Sequence, residues 1–389
     1  MGSRAWIILS ALVLARIGFG YQFQTVASLG PELMSRFHLD YAGLGSLIGA
    51  YMLPGIFVAL PLGLLGRRFG DRLILGAGLA LMTLGALLSA WGGGAAGIAE
   101  GRVTSGIGAV AMIVLQSKVI ADWFRGRRFM LAVSISVGAY PVGVGLSQFV
   151  HPLLARAFGW PAAFLSGGAE MALATILFLA AYRDTTEAAA VPRAFSLPSV
   201  RECLILVVAG LIWTAYTAGF TGFLSYVPSL MAQRGEGLAL TGLVVGLATW
   251  GNPPATLIGG GLAGRVGAWR TFAIGTLSLV VGMAGFGLLD WPVTWGFLVG
   301  LPGALHPGVI IALGTLSARP ENRAVGMGVF YTMYYAGGAV VPTLCGHAAD
   351  LYGSPVGAMF AASAISAIAI PMYLLHRRLA AHETMLARA

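Results

Sequence analysis

The sequence predicts an all-α membrane protein, with twelve transmembrane helices in two pseudo-symmetric six-helix bundles. Three observations carry that expectation. Of 389 residues, 58% are hydrophobic and only 10% charged, where soluble domains carry roughly 25% charged residues; mean hydropathy is +0.84. The apolar residues fall into runs of about 20, the length that crosses a bilayer. The chain also repeats itself: GLLGRRFGDR at Gly63 to Arg72 returns as GLAGRVGAWR at Gly261 to Arg270, agreeing at five of ten positions with an offset of 198. Self-similarity at half the chain length marks two copies of one helical unit.

Taken in order, the runs lie near 5–30, 41–65, 73–91, 96–119, 129–151 and 160–182, and again near 203–230, 238–263, 271–290, 293–316, 324–347 and 354–375. The first is read as a spanning helix and not as a cleaved signal, because no small-residue cleavage site follows it. Between the sets, 183–202 is polar and holds two prolines, which marks a linker. The division is therefore 1–182, a cytoplasmic linker 183–202, and 203–389 with a short tail. Pro54-Gly55, Tyr140-Pro141 and Asn252-Pro253-Pro254 are expected to bend the second, fifth and eighth spans. The 57 glycines suit a bundle whose helices approach closely.

Charge placement sets orientation and excludes partners. Most of the 23 Lys and Arg residues fall in segments on the side of the termini. Only Arg36, Arg156 and Arg234 lie opposite, and Arg16 and Arg102 lie within spans. This bias places both termini in the cytoplasm of a cell-membrane protein. The net charge of +9 is scattered over short turns and forms no basic face, so nucleic acid is not an expected partner. Two cysteines, Cys203 and Cys345, make no disulfide framework or metal-ligand cluster. There are no paired intramembrane aspartates, no H-E-x-x-H and no Ser-Lys constellation, so enzymatic chemistry is not expected. Gly106-Ile107-Gly108 lies in an apolar span with no preceding strand and is not a nucleotide-binding loop. No cofactor or metal is expected, and a monomer is.

The basic turn closely resembles that of the major facilitator superfamily, G-x-L-x-D-R-x-G-R-R, through Gly63, Leu65, Arg68, Gly70 and Arg72. Arg67 stands where that family has Asp, and Asp71 where it has Arg. R-x-x-x-G-x-G of the fourth span matches as Arg102, Gly106 and Gly108; ADWFRGRR (Ala121 to Arg128) and Gly159-Trp160 with Phe164 look similar too. Within the superfamily, YMLPG (Tyr51 to Gly55) and YPVG (Tyr140 to Gly143) look most like bacterial permeases grouped with cyanate and related small-anion transporters. The resemblance implies alternating access about a central site. It makes Arg67, Arg68, Asp71, Arg72 and Arg265 gating candidates, with the gate acid displaced to Asp71.

Two intramembrane arginines focus the search for a site. A guanidinium near the bilayer centre costs about 2.5 to 3.5 kcal/mol on insertion scales and is a functional candidate by default. Arg16 and Arg102 are expected to converge on an anion; the alternative is that each pairs with a carboxylate or the backbone. Glu100 and Glu170 are the acids clearly inside spans. Glu100, with mid-span His306, is the expected proton-coupling group, and Glu170 is read as scaffold. The second half lacks deep charges, so Tyr216, Asn252, Tyr331 and Tyr335, with Tyr140 from the first half, complete the substrate-binding set. The expected function is alternating-access transport of a small anionic solute, coupled to protons. Two alternatives stand beside it: proton-driven efflux of a drug-like compound, echoed in Gly138, Pro141, Gly143 and Gly145, and a non-transporting receptor or scaffold.

Overall fold

Every regular element in the computed structural model is helical among the residues it describes, 3–124, 127–183, 198–319 and 323–386; for 3, 60, 63–68, 127, 130, 323–324 and 381–386 these are backbone only. The first half comprises α1 (Ser3–Ser28), α2 (Gly30–Phe37), α3 (Tyr41–Gly49), α4 (Gly55–Phe69), α5 (Asp71–Trp91), α6 (Ala95–Trp123), α7 (Arg127–Phe158) and α8 (Pro161–Ala181). The second comprises α9 (Val200–Gln233), α10 (Leu238–Trp250), α11 (Asn252–Val266), α12 (Ala268–Leu288), α13 (Pro292–Gly300), α14 (Pro307–Leu316), α15 (Arg323–Tyr352), α16 (Val356–Ala367) and α17 (Ala369–Leu386). Twelve crossings result, because α3–α4, α10–α11, α13–α14 and α16–α17 are each one interrupted span and the eight-residue α2 is too short to cross.

Nine described helices are long and apolar enough to cross a membrane by themselves. The second and eighth spans fall short because they are broken, and α15 is diluted by tyrosine and glycine. The interruptions follow from chemistry. Proline lacks an N–H and disfavours helix in the residue before it, so α3 stops at Gly49 and α4 resumes after Pro54. Gly251 separates α10 from α11, whose first turn opens with Asn252-Pro253-Pro254. In the fifth span α7 runs unbroken through Pro141 and Pro152. The expected linker falls largely on 184–197, outside the described residues. Its end comes earlier than expected, since α9 starts at Val200 with Ser199 as N-cap, its Oγ accepting from the Glu202 amide at 3.2 Å.

Side-chain bonds show which helix ends share a face. Arg4 donates to the Ala181 carbonyl (2.8 Å) and Arg72 to that of Leu179 (2.8 Å), while the Arg319 amide donates to Glu202 (2.8 Å) and Ser317 Oγ meets His376 Nε2 (2.8 Å). These join the first and third spans to the end of the sixth, and the end of the tenth to the start of the seventh and to the twelfth, and define a termini end. Each ties one half to itself.

At the opposite, far end the halves meet. Tyr226 of α9 donates between the carbonyls of Tyr41 and Pro342, both at 2.8 Å. Asp350 of α15 accepts from the amides of Tyr41 and Ala42, each at 2.9 Å, capping α3 from the other half. Gly45 and Gly49 of α3 lie against the carbonyls of Pro342 and Ala339, where any Cβ would collide. A second seam joins α7 to α10, with Gly242 against the Phe149 ring and Trp250 Nε1 donating to the Pro141 carbonyl at 2.9 Å. The seams run from the far end to mid-depth, where Tyr335 covers Gly55.

Candidate functional site

Arg16 lies roughly 20 Å along α1 from Ser3, at the level where the seams end. Its guanidinium sits 5.5 Å from the Phe19 ring centroid and 5.9 Å from that of Tyr140. The hydroxyls of Tyr334, Tyr140, Tyr335 and Tyr331 are all within its electrostatic reach. Tyr331 packs edge-on to Tyr334 and Tyr334 to Tyr335, with centroids 6.4 and 5.1 Å apart, so α15 supplies a continuous aromatic wall. Arg16 remains partly exposed, Nε has no hydrogen-bond partner, and among the described residues no carboxylate lies within 4 Å of it. Four sequence-predicted residues, Arg16, Tyr140, Tyr331 and Tyr335, thus come together from three helices of both halves. Phe19, one turn above Arg16 on its own face, and Tyr334 complete the cluster; the i+3 spacing from Arg16 was the available signal for Phe19.

Arg102 does not join them. It is 2% exposed, and its two terminal nitrogens donate to the carbonyls of Gln22 (3.1 Å), Phe23 (3.0 Å) and Ile48 (3.1 Å). Its cation also lies 4.8 Å from the Tyr51 ring centroid. The Ile48 carbonyl sits at the end of α3, where the break before Pro54 leaves it short of a helical partner. Gly106 lets α6 touch the Tyr51 carbonyl, and Gly108 lets it touch that of Gly78 in α5. Arg102, Gly106 and Gly108 therefore clamp α6 to α1, the broken second span and α5. The expected convergence of two arginines is corrected to one free guanidinium and one structural staple, because three carbonyls occupy the second.

Asn252 is likewise taken up by structure. With its amide oriented to satisfy its surroundings, Nδ2 donates to the carbonyls of Ala248 (3.3 Å) and Gly300 (2.9 Å), joining the breaks of the eighth and tenth spans. Tyr216 is buried against His306, centroids 4.6 Å apart. His306 is 0% exposed, closed in by Phe272 and Gly275, with both ring nitrogens unpartnered; none of these groups is among those around Arg16. Glu100 is exposed and faces away from Arg102, since residues two apart lie about 200° apart around a helix. The alternative pairing of Arg102 with Glu100 does not form for that reason.

At the termini end, Asp71 accepts from Lys118 Nζ at 2.6 Å, with the carboxylate side chain 5% and the ammonium 37% exposed. Asp71, the residue expected to stand in for the gate acid, thus pairs with the end of α6 inside its own half. Arg72 reaches the Leu179 carbonyl and Arg265 is exposed; Arg67 and Arg68 stand on α4, their side chains outside those described. No group of three or more His, Cys, Asp or Glu among the described residues is placed to hold a metal.

The profile of the Major Facilitator Superfamily matches residues 12–342. The chain belongs to that superfamily, and as a member it is a multi-pass membrane transporter and not an enzyme. It is 24% identical to the 4-hydroxybenzoate transporter PcaK of Pseudomonas aeruginosa over 82% of this chain and 79% of that protein. It is also 24% identical to the 3-(3-hydroxy-phenyl)propionate transporter of Escherichia coli, over 93% and 91%, and 23% identical to the putative metabolite transport protein YyaJ of Bacillus subtilis, over 82% and 81%. A bacterial homolog of the human lysosomal transporter Spinster, in an inward-facing and occupied conformation, shares the fold with a TM-score of 0.77, 15% identity, and coverage of 97% of this chain and 98% of that one.

Proposed function

We propose that this transporter carries a small aromatic acid as its anion, together with a proton, by alternating access about Arg16, with both termini in the cytoplasm. The single observation behind the proposal is a partly exposed guanidinium at mid-depth, without a carboxylate partner among the described residues and ringed by Phe19, Tyr140, Tyr331, Tyr334 and Tyr335. A guanidinium binds a carboxylate through paired, charge-assisted hydrogen bonds. The surrounding phenols offer ring faces to an aromatic body and hydroxyls to its polar substituents. The names of the relatives, for 4-hydroxybenzoate and 3-(3-hydroxy-phenyl)propionate, support an aromatic acid larger than cyanate. The wall from α15 and the arginine from α1 belong to different halves, so a bound anion would bridge the parts that must move.

Thermal stabilisation of the purified protein by 4-hydroxybenzoate, 3-(3-hydroxyphenyl)propionate and cyanate, against a lipophilic cation, tests the substrate class. The aromatic acids should stabilise the wild type. Arg16→Gln should weaken their binding about tenfold to a hundredfold, the loss of one charged hydrogen bond worth about 1.5 to 3 kcal/mol. Stabilisation by the lipophilic cation alone would favour efflux, and indifference to all of them would end the proposal.

A further inference from the structure

Behind α1, on the side away from Arg16, the first half holds a polar chain that the anion site does not use. Gly18 of α1 faces Glu170 of α8, with Glu170 Oε2 2.8 Å from where a Cβ on Gly18 would stand. Gly18 follows Arg16 by two residues, so the carboxylate and the guanidinium lie at nearly the same depth on opposite faces of one helix. Glu170 Oε1 is buried without a hydrogen-bond partner, and among the described residues no cation lies within 4 Å of the carboxylate.

One turn toward the far end on the same face of α8, Ser166 donates to the Ala163 carbonyl (2.7 Å) and so accepts from Tyr21 Oη (3.0 Å). The Tyr21 ring lies 4.0 Å from the His151 ring, centroid to centroid. His151 is 0% exposed, and Nδ1 is 3.1 Å from Ser28 Oγ. Ser28 donates to the Thr25 carbonyl (3.0 Å), which leaves the Nδ1 proton for Ser28 and the unpartnered Nε2 as a free proton acceptor. Ser28 in turn lines a far-end cavity of about 60 Å³ between the halves, with Gln148, Glu236 and Thr241; that volume admits several waters.

The other titratable groups around Glu170 are few. From α1 they are Tyr21 and, across the helix, Arg16. From the break between α3 and α4, Tyr51 lies within electrostatic reach and is itself beside Arg102. From α7, His151 stands behind Tyr21, and Arg156 is exposed nearer the far end; α5 brings Asp71 and Arg72 only at the termini end. An unpaired carboxylate in such a place has no structural duty that glutamine would not perform better.

We infer that Glu170 is the proton-carrying group of this transporter, loaded from the far-end cavity by way of Ser28, His151 and Tyr21–Ser166. The inference rests on the proposed proton-coupled transport and names its site. Protonation neutralises the carboxylate and removes the cost of burying it against α1; release toward the termini end restores the charge. No bond changes except that of the proton to Glu170. Because Glu170 of α8 packs against Gly18 of α1 at the level of Arg16, each proton and each anion bias the position of the same helix.

Two measurements test this. Infrared difference spectra of the protein in nanodiscs, between acid and alkaline buffer and without substrate, should show a carboxylic-acid band that titrates in the wild type. The band should vanish in Glu170→Gln and return shifted in Glu170→Asp. In proteoliposomes loaded with 4-hydroxybenzoate, Glu170→Gln should lose the stimulation of uptake by a pH gradient yet keep exchange of labelled for unlabelled anion. His151→Phe should slow proton-driven uptake when the far side supplies the proton, without altering exchange. A band unchanged in Glu170→Gln, or gradient-driven uptake that survives it and fails in His306→Phe, overturns the assignment. If the wild type moves no aromatic acid, the substrate reading fails, and the infrared band alone decides Glu170.

Discussion

Arg16 and Arg102 look alike along the chain, one arginine each in an apolar run, yet their neighbours give them opposite tasks. Arg102 donates to three backbone carbonyls, whereas Arg16 keeps its Nε unpartnered beside aromatic rings. Substitution should separate them. Arg102→Gln should lower stability by about 1 to 3 kcal/mol, the cost of leaving buried carbonyls unsatisfied, and should show as a fall in melting temperature in detergent with ligand affinity, per folded molecule, nearly unchanged. Arg16→Gln should melt at or above the wild-type temperature, because it removes an uncompensated charge, while losing the ligand. A reversed pattern would place the anion at Arg102. The cost of burying each arginine was legible in the sequence, since it depends on residue type and depth. Its remedy was not, because the carbonyls that satisfy Arg102 belong to residues about 54 to 80 positions away and one of them is exposed only by the break at Pro54. Asn252 was misread for the same reason, its partner Gly300 lying in a different broken span.

Among the elements, Pro54 and Pro253-Pro254 adjoin the breaks of the second and eighth spans, whereas Pro141 leaves α7 continuous. Proline removes one donor and clashes with one carbonyl, and whether a helix stops there depends on what packs against it. The Pro141 carbonyl receives Trp250 Nε1 from α10, a tie invisible to local pattern. The glycines of α3 were equally ambiguous: as residues they permit close approach to anything, and only the fold shows that Gly45 and Gly49 meet carbonyls of α15. Gly49→Leu should therefore prise α3 from α15. With Ser28→Cys as reporter in the far-end cavity, labelling by an impermeant maleimide should rise several-fold, and uptake should fall. At the other end of the same half, Asp71→Asn breaks the Lys118 pair; because the ammonium is 37% exposed, the cost should stay near about 1 kcal/mol, read as a small melting shift that Lys118→Met in addition does not enlarge. A large, non-additive loss would mean that the pair holds more than its own half.

For the whole molecule, span number and two-fold repetition follow from hydropathy and the recurrence at Gly261 to Arg270, since lipid admits only helices whose backbone bonds close internally. How the halves lean on each other does not follow, because their seam is made of small residues and backbone groups with little compositional signature. That seam yields a direct test of alternating access. It is closed from the far end, where α7 meets α10 through Phe149 and Gly242, to mid-depth, and Arg16 lies beneath it. Transport requires these surfaces to part; binding from the termini end does not. In a Cys203→Ser background, Phe149→Cys with Gly242→Cys, joined by a short bifunctional thiol reagent, should abolish uptake into proteoliposomes and leave the affinity for 4-hydroxybenzoate in detergent within about twofold of the unlinked protein. A reducible linker should return uptake when cleaved. If the linked protein still carries the anion across, the far-end seam is not a moving gate; if linking destroys binding too, Arg16 is reached through the seam and not from below it.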